Sequence, residues 1–388
     1  MKTFKSKLKL VTLALASVLT QGLCAVSEAG AAPNADKLPI NIGRSLPLSG
    51  PLTPYGEAKR DGADAYLNKI NKEGGLGGRK LVLTTLDDAY EPAKITENLR
   101  KMAKDSKLSA FLGLFGVPSV AAAIPVIEEL KIPTVGLTSG SSAIRTPFKR
   151  YLFPIRASFA DEAAFTVNHL KTLSHSRVVI IHQDNDFGKL VRDTFISEFN
   201  IANIKVVADV TLPVGVDNAD AVVAQVLSSK PDTIILSMLS TGAVPTMAAF
   251  AAKGLVGIPL YAISAVDGSL MTTKLGKAAA GLGISQIVPI PEGFRTKIGR
   301  EYTDALIELG RGTPSFYGLE AFVEAKVLVA GLKAAGKNVD NPESVVKGLE
   351  SLGDYNVGDF PVSYNATEHR GSKFVELTVI TSRGTLIR

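Results

Sequence analysis

A pattern of strand, polar loop and helix occurs twice in this chain of 388 residues. In residues 40–70 a short apolar strand runs into a loop of Ser, Pro, Gly and Thr, after which Tyr55-Gly56 opens a helix. In the second copy an apolar strand at 178–181 runs into His-Gln-Asp-Asn-Asp, and Phe187-Gly188 opens a helix. Such a loop at a helix N-terminus is where an α/β sheet holds a ligand. The repeat predicts two lobes of similar topology that face each other across a cleft.

A second pair of segments repeats in the same order. Ile132-Pro133 and Ile258-Pro259 each follow a helix and start a strand that ends in a Ser-rich loop. Strand-length runs that are apolar on both faces fit buried parallel strands with helices on each side. These runs lie at 81–86, 110–114, 134–137, 178–181, 233–236 and 260–263. The fold class is therefore α/β, and a tandem of two unrelated α/β domains remains the alternative.

The N-terminal 31 residues have the three parts of a secretory signal peptide. Four lysines precede an apolar run at 10–19, and small residues follow up to Ala31. An uncleaved anchor is the alternative, although the run is shorter than the ~20 residues that span a bilayer. Cys24 is the only cysteine, and Leu23 stands before it, where lipid attachment favours a small residue. Cleavage near Ala31 removes Cys24, so we expect a soluble periplasmic protein without disulfides or a lipid anchor.

Composition excludes several classes of protein. Hydrophobic residues make up 46% and charged residues 21% of the chain, as in ordinary globular proteins. The formal charge of +6 overstates the basicity, because the signal segment supplies four lysines against Glu28. Basic residues form no block beside aromatic residues, so nucleic acid is not an expected partner.

Motifs for metal, phosphate and catalysis fail on their spacing. The Gly-rich stretch at 74–79 follows a helix and precedes a strand, the reverse of a phosphate loop, and reads as a helix stop and turn. Asp-Asn-Asp at 184–186 lacks the glycine and Glu spacing of a calcium loop. The four histidines form no HExxH pair, and no GxSxG elbow occurs. We expect no metal, no cofactor and no catalytic residue.

Several local motifs occur in an order and spacing that resembles one family. They are NKEGGLGGRKLVL at 71–83, LDDAYEPAK at 86–94, IRASFADEA at 155–163, QDNDFGK at 183–189 and YGLEAFVEAKVLVAGLKAAGK at 317–337. The chain resembles the periplasmic solute-binding proteins of the branched-chain amino-acid-binding (Leu/Ile/Val) type over nearly its whole mature length. The resemblance implies the type I fold of this family, two Rossmann-like lobes joined by a three-strand hinge. It also implies delivery of a ligand to an inner-membrane ABC permease, by a monomer.

The residue pattern and the resemblance together predict the domain boundaries. A strand breaks at proline within 153–158, which places one crossing between the lobes there. The resemblance implies two more crossings, near 288–291 and near 370–371. The first lobe would then comprise 38–156 and 289–370, and the second lobe 157–288 and 371–388.

The resemblance also implies which residues hold a ligand carboxylate. In the family, hydroxyls and backbone N–H groups of the first lobe do so. Carried over, the first anchor contains Val117 and Ser119 at the start of a helix, where free N–H groups and the helix dipole favour an anion. The second anchor is the hydroxyl-rich loop at 138–142, with Thr138, Ser139, Gly140 and Ser141. A simple N-cap is the alternative role for Ser119.

The other expected contacts close over the ligand. Tyr55 and Phe187 match the family's two covering aromatic residues, although Phe187 stands where tyrosine is usual; a core position is the alternative for each. The second-lobe wall would comprise Ser240, Thr241, Ser264 and Asp267.

The chain departs from its amino-acid-binding relatives at one position. They place an acidic residue for the ligand's ammonium where this chain has Ile263 or Ser264, and Asp267 comes three or four residues later. A buried ammonium without a carboxylate partner is costly. Either Asp267 or Asp88 substitutes, or the ligand is an aromatic or short aliphatic carboxylate without an α-amino group, which we favour.

The expected function is therefore ligand capture for an ABC importer by closure about the hinge. A chemosensory protein that presents its ligand to a receptor and a secreted α/β hydrolase are the alternatives.

Overall fold

The computed structural model describes residues 38–214, 219–254, 257–292 and 296–388. Two twisted α/β bodies and a small antiparallel sheet make up this part of the chain. We call the body built on the N-terminal sheet the first lobe and the other the second lobe. The signal segment, Cys24 and Ala31 lie outside the described residues.

The sheet of the first lobe has five parallel strands in the order β2-β1-β3-β4-β5. The strands are β1 (Ile40–Leu46), β2 (Leu81–Asp87), β3 (Leu108–Phe115), β4 (Thr134–Thr138) and β5 (Leu152–Phe153). All eight residues of β3 and all five of β4 are buried, because helices cover both faces of the sheet.

Six helices belong to the first lobe. They are α1 (Thr53–Lys72), α2 (Pro92–Asp105), α3 (Val117–Leu130), α9 (Lys297–Leu309), α10 (Phe316–Ala335) and α11 (Pro342–Glu350). The last three come from the far end of the chain and pack as a group: α9 and α10 contact α1, and α11 contacts α10.

The second lobe contains a seven-stranded sheet in the order β15-β14-β10-β9-β8-β6-β7. Its strands are β6 (Arg177–Gln183), β7 (Lys205–Leu212), β8 (Thr233–Ser237), β9 (Leu260–Ala262), β10 (Leu282–Gln286), β14 (Glu376–Ile380) and β15 (Leu386–Ile387). The first five are parallel, whereas β14 and β15 are antiparallel additions at one edge. The helices are α4 (Phe159–Thr172), α5 (Asp186–Ala202), α6 (Ala219–Ser228), α7 (Ser240–Ala252) and α8 (Gly268–Leu275).

The third sheet lies between the end of α11 and the return of the chain to the second lobe. It comprises β11 (Gly353–Asn356), β12 (Pro361–Asn365) and β13 (Glu368–Gly371). Two segments that connect the lobes run side by side there, since Ser372 N–H donates to Ile155 O at 2.8 Å. The hydroxyl of Tyr364 donates to Pro154 O at 2.8 Å. Gly371 has φ +73°, and a Cβ there would lie 2.4 Å from Pro154 O, so the close approach requires glycine.

The six strands predicted from apolar runs all form in the described chain, each within two residues of its expected ends. The Gly-rich stretch at 74–79 is a helix stop and turn, as predicted. Gly75 N–H donates to Ile70 O at the end of α1, and Leu76 pairs with Arg79 just before β2.

Helices α1 and α10 meet at two glycines. A Cβ on Gly62 would lie 2.0 Å from the carbonyl oxygen of Gly318, a distance that no folded protein tolerates. The backbones touch here, and the contact brings Lys59 of α1 against Glu324 of α10. Small residues at this crossing therefore set the position of the helix that carries several buried charges.

We expect Gly62→Ala to destabilise the protein. Glycine to alanine inside a helix ordinarily gains about 1 kcal/mol, but here the methyl group must push α10 away, which costs ~1–3 kcal/mol or more. Urea unfolding checks this. Gly310→Ala is the control. Gly310 has φ +75° and open space around it, so any stability lost in this variant reflects backbone strain alone. An unchanged midpoint for Gly62→Ala would contradict the packing described.

Candidate functional site

The carboxyl ends of the parallel strands in both lobes face the same cleft. In the first lobe β1, β3 and β4 are neighbours, and each ends in a loop that starts a helix or turn. In the second lobe β6, β8 and β9 are neighbours and end likewise. Hydrogen bonds and apolar contacts between these loops bring the two sets together.

Two first-lobe loops abut at Gly116 and Thr138. Gly116 N–H donates to Thr138 O at 3.1 Å. Gly116 is the N-cap of α3 with φ +88°, and a Cβ there would overlap the ring of Tyr90. The N-cap reading of Ser119 is therefore wrong: Ser119 lies inside the first turn of α3, and the cap position belongs to glycine.

Ser119 and Thr138 carry the most informative atoms of the site. Both side chains are buried, and within the described chain neither Ser119 Oγ nor Thr138 Oγ1 has a hydrogen-bond partner. A buried hydroxyl without a partner costs ~1–3 kcal/mol. Two of them, one in the first turn of α3 and one at the end of β4, are therefore candidates for groups that a ligand satisfies.

Other groups of the hydroxyl-rich loop already form hydrogen bonds with protein atoms. Ser139 is buried, and its Oγ accepts from Ser141 N–H at 3.3 Å. Ser141 in turn accepts from Ala143 N–H and caps a short 3₁₀ turn. Gly140 O accepts from Phe159 N–H at 2.9 Å, and a Cβ on Gly140 would overlap the Phe159 ring. This loop therefore touches the start of α4 in the second lobe.

Tyr55 lies at the contact between the lobes. It is buried in the first turn of α1, where its ring packs against Phe115 (centroids 5.7 Å apart) and edge-on against Tyr317 (4.9 Å). Its Oη accepts from Ser240 N–H at 3.2 Å, at the N-terminus of α7. Gly56 beside it allows the helix to approach the backbone of Pro47.

Phe187 belongs to a different cluster. Its ring packs edge-on against Phe159 at 5.9 Å in the core of the second lobe, where Val117 of the first lobe also packs. Val117 and Phe187 thus belong to the same apolar cluster, whereas the Tyr55 ring contacts the ring of Tyr317. The Phe187 side chain is only 5% exposed, as the core alternative expects.

The second-lobe loops are linked to one another. Ser240 Oγ accepts from Asp267 N–H at 2.8 Å. The carboxylate of Asp267 caps α8 by accepting from Leu270 N–H at 2.9 Å, and burial raises the pKa of Asp267. Thr241 is exposed and lines a cavity that opens between the lobes.

Ser264 lies in a network of buried charges that sequence reasoning did not find. Its N–H and Oγ both donate to the Glu162 carboxylate (2.8 and 2.9 Å), which also accepts from Ser285 Oγ at 2.7 Å. The Arg156 guanidinium donates to Ser264 Oγ, and its Nε lies 3.9 Å from Glu320 of α10. These charges connect α10 of the first lobe with α4 and β10 of the second.

The network continues into the first lobe. Lys59 Nζ lies 2.8 Å from Glu324 and 3.6 Å from Glu320, and all three side chains are buried. Burial raises the pKa of Glu324 to about 7, although Lys59 opposes the shift. The sequence did offer a signal for this network, because Glu320 and Glu324 are two acids four residues apart in the largely apolar helix α10. Tyr317 had a signal too, because Tyr317-Gly318 is a third aromatic-Gly pair at a helix start.

An apolar cavity of about 550 Å³ opens between the lobes beside Tyr55. The first lobe contributes Leu52 and Tyr90, and the second lobe contributes Gln183, Leu239 and Pro245 among others. Its volume falls within the range of pockets for small molecules, ~300–1,000 Å³. Leu52, Tyr90 and Leu239 also contact the cluster around Tyr55, so the cavity borders that cluster.

Comparison with known proteins identifies the family of this chain. A family model for periplasmic binding proteins matches residues 39–385. The chain belongs to the periplasmic binding protein family. Its fold is the type I fold of the branched-chain amino-acid-binding group, and members of the family are substrate-binding proteins, not enzymes. The hydrolase alternative is therefore wrong.

Relatives and solved structures cover most of the chain. It is 26% identical to the Leu/Ile/Val-binding protein BraC3 of Rhizobium johnstonii over 337 residues, 84% of this chain and 88% of the relative. It is 24% identical to an amino acid binding protein of Pseudomonas aeruginosa, over 80% of this chain and 82% of that protein. A substrate-binding periplasmic protein of Ralstonia solanacearum has 28% identity and a TM-score of 0.83, over 90% of this chain and 99% of its own.

Two further observations concern the same described residues. None of their helices is long and apolar enough to cross a membrane. None of their His, Cys, Asp and Glu side chains form a group of three suited to a metal ion.

We expect stability to fall as pH rises through the titration of Glu324. Its pKa of about 7 lies above the ordinary 4.5, so the folded protein holds a proton that the unfolded chain releases. The stabilisation is complete below pH 4.5 and is lost as pH rises through 7. Glu324→Gln should reduce this decline in urea unfolding between pH 5 and 8, whereas the exposed Glu97→Gln should not. Identical pH profiles for the wild type and Glu324→Gln would exclude this assignment.

Proposed function

We propose that this protein captures a small carboxylate in the periplasm and delivers it to the permease of an ABC importer. The observation that carries the proposal is a pair of buried, unpartnered hydroxyls: that of Ser119 in the first turn of α3 and that of Thr138 at the end of β4. A carboxylate accepts such donors at two oxygens, and the N-terminus of α3 adds a favourable dipole. Hydrogen bonds to a charged group contribute ~1.5–3 kcal/mol each.

The ligand in this proposal lacks an α-amino group. An ammonium would need a free carboxylate, and the candidate acids already have partners. Asp267 caps α8, and Asp88 accepts from Ser45 Oγ at 2.8 Å and from Tyr90 N–H at 2.9 Å. Glu162 accepts three hydrogen bonds from Ser264 and Ser285. These bonds hold each carboxylate in place, so none of the three can move toward a ligand without losing them.

The apolar cavity beside Tyr55 supports a ligand with a hydrophobic body. Protein partners for a polar substituent are few there, whereas Leu52, Tyr90, Leu239 and Pro245 offer apolar contact. Solved structures of this fold include a solute-binding protein of R. palustris in complex with benzoate, at 21% identity and a TM-score of 0.79. Leucine, isoleucine or valine is the competing ligand class, in view of the names of the relatives.

Delivery follows from closure of the lobes about their connecting segments. We take the first lobe as 38–156 and 289–370 and the second as 157–288 and 371–388, with residues 1–31 as a cleaved signal peptide. The five-stranded sheet, built from residues 40–153, and the seven-stranded sheet, built from residues 177–286 and 376–387, support this division. The contacts of Tyr55 with Ser240 and of Gly140 with Phe159 join the lobes and would change on opening. The protein acts as a monomer in this proposal.

Substitution of the unpartnered hydroxyls tests the anchor. Ser119→Ala and Thr138→Val should each weaken binding of the carboxylate roughly 10- to 100-fold in calorimetric titration, from the loss of one charge-assisted bond. Ser109→Ala is the matched control. Ser109 Oγ is also buried and unpartnered, but it lies at the opposite end of β3, so binding should not change. Equal losses of affinity in all three variants, or no loss in any of them, would show that Ser119 and Thr138 do not anchor the ligand.

Asp267→Asn distinguishes the two ligand classes. Asparagine is as good an N-cap as aspartate, so α8 should persist and binding of a carboxylate without an amine should stay within about twofold. Thermal-shift screening of the purified protein with aromatic acids, aliphatic acids and branched-chain amino acids first supplies the ligand. Leucine that binds tightly to the wild type and is lost in Asp267→Asn would restore the amino-acid class.

A further inference from the structure

A second cavity lies away from the ligand cleft, where the segments that connect the lobes meet. It has a volume of about 390 Å³. Its walls come from three parts of the chain: residues 144–152 after β4, the start of α4 at Ser158 and Asp161, and residues 367–373 around β13. None of the side chains proposed for the cleft ligand lines it.

The walls of this cavity, which we call the hinge cavity, are basic. Four cationic side chains line it against two carboxylates, those of Asp161 and Glu368. The cations are Arg145, Lys149, Arg370 and Lys373. Asp161 and Glu368 offset two of the four positive charges, so the lining keeps a net positive charge. The Asp161 carboxylate is held in place by the N–H and the Oγ of Ser158, from which it accepts in a capping box.

The cations are also under-used within the described chain. Arg145 Nη1 and Arg370 Nε are buried without a hydrogen-bond partner. Arg145 donates through its other terminal nitrogen to Arg156 O, and Arg370 Nε lies 3.8 Å from Glu368, beyond hydrogen-bond distance. Lys149 donates only to a backbone carbonyl, Pro147 O, at 3.3 Å. Burying unsatisfied guanidinium N–H groups is costly unless an acceptor arrives.

We propose that the hinge cavity binds a phosphate-type oxyanion. Guanidinium groups present paired N–H donors that match the oxygens of such an anion, and ammonium groups add point charges at its rim. The hydroxyl of Ser372, which also lines the cavity, can complete the shell. The volume exceeds that of inorganic phosphate, so a free anion and the phosphoryl group of a small monoester share the same recognition chemistry.

Calorimetric titration of the purified protein at constant ionic strength tests the site. Inorganic phosphate and sulfate should each bind at one site, and chloride should give no saturable heat. Constant ionic strength matters because surface charges are screened. Glycerol 3-phosphate is the second arm: tighter binding than phosphate indicates a monoester as the natural ligand, and weaker binding indicates the free anion.

Lysine variants assign the binding to the cavity. Lys149→Gln with Lys373→Gln removes two rim charges that are not buried, so the fold should persist, and phosphate affinity should fall at least tenfold. Lys333→Gln with Lys337→Gln removes the same charge from exposed positions elsewhere and should leave affinity unchanged. An adventitious ion only, seen as no saturable binding or as equal losses in both double variants, would overturn the proposal. Binding that survives in Lys149→Gln/Lys373→Gln would overturn it as well.

Discussion

A continuous chain of buried charges holds the two lobes in register. Glu324, Lys59, Glu320, Arg156 and Glu162 follow one another with separations of 2.8 to 3.9 Å, and each is at most 4% exposed in its side chain. Removing one partner of a buried pair costs ~3–5 kcal/mol, because the other charge stays uncompensated. The charges therefore restrict how α1, α10, the connecting segment and α4 can be arranged. The packing of the core fits around them, as Gly136 shows: a Cβ there would overlap the Glu324 side chain.

The charge chain also fixes a cleft loop of the second lobe. Ser264 is held by Glu162 and Arg156, and its carbonyl accepts from Tyr317 Oη at 3.3 Å. In the first lobe, Ser119 Oγ and Thr138 Oγ1 have no partner within the described chain. A rigid surrounding structure keeps hydrogen-bond donors in position for a ligand, which lowers the entropy cost of binding.

The sequence predicted local features well and long-range contacts poorly. Strands such as β3 and β4, and the loop that starts at Thr138, depend on neighbouring residues, so apolar runs and clustered hydroxyls indicate them. The cap of α3 was assigned to Ser119 in one reading, whereas Gly116 occupies it because only glycine fits beside Tyr90 at φ +88°. The partners of Ser264 could not be predicted, since Glu162 is 102 residues away in sequence. The resemblance paired Phe187 with Tyr55 as covering aromatic residues, and in the structure each ring packs in a cluster of its own.

The antiparallel edge of the second sheet has a consequence for how the protein folds. Strand β14 pairs with β10, so that Val379 lies opposite Gly283, and β15 pairs with β14 at Leu386 and Ile387. In the first lobe, α1 is covered only when α9 and α10 have been synthesised, and α10 in turn packs against α11. Neither lobe can be completed until nearly the last residue of the chain is available, and contacts so distant in sequence form slowly. Translation of a chain of this design must therefore be almost finished before the native packing of either lobe can close.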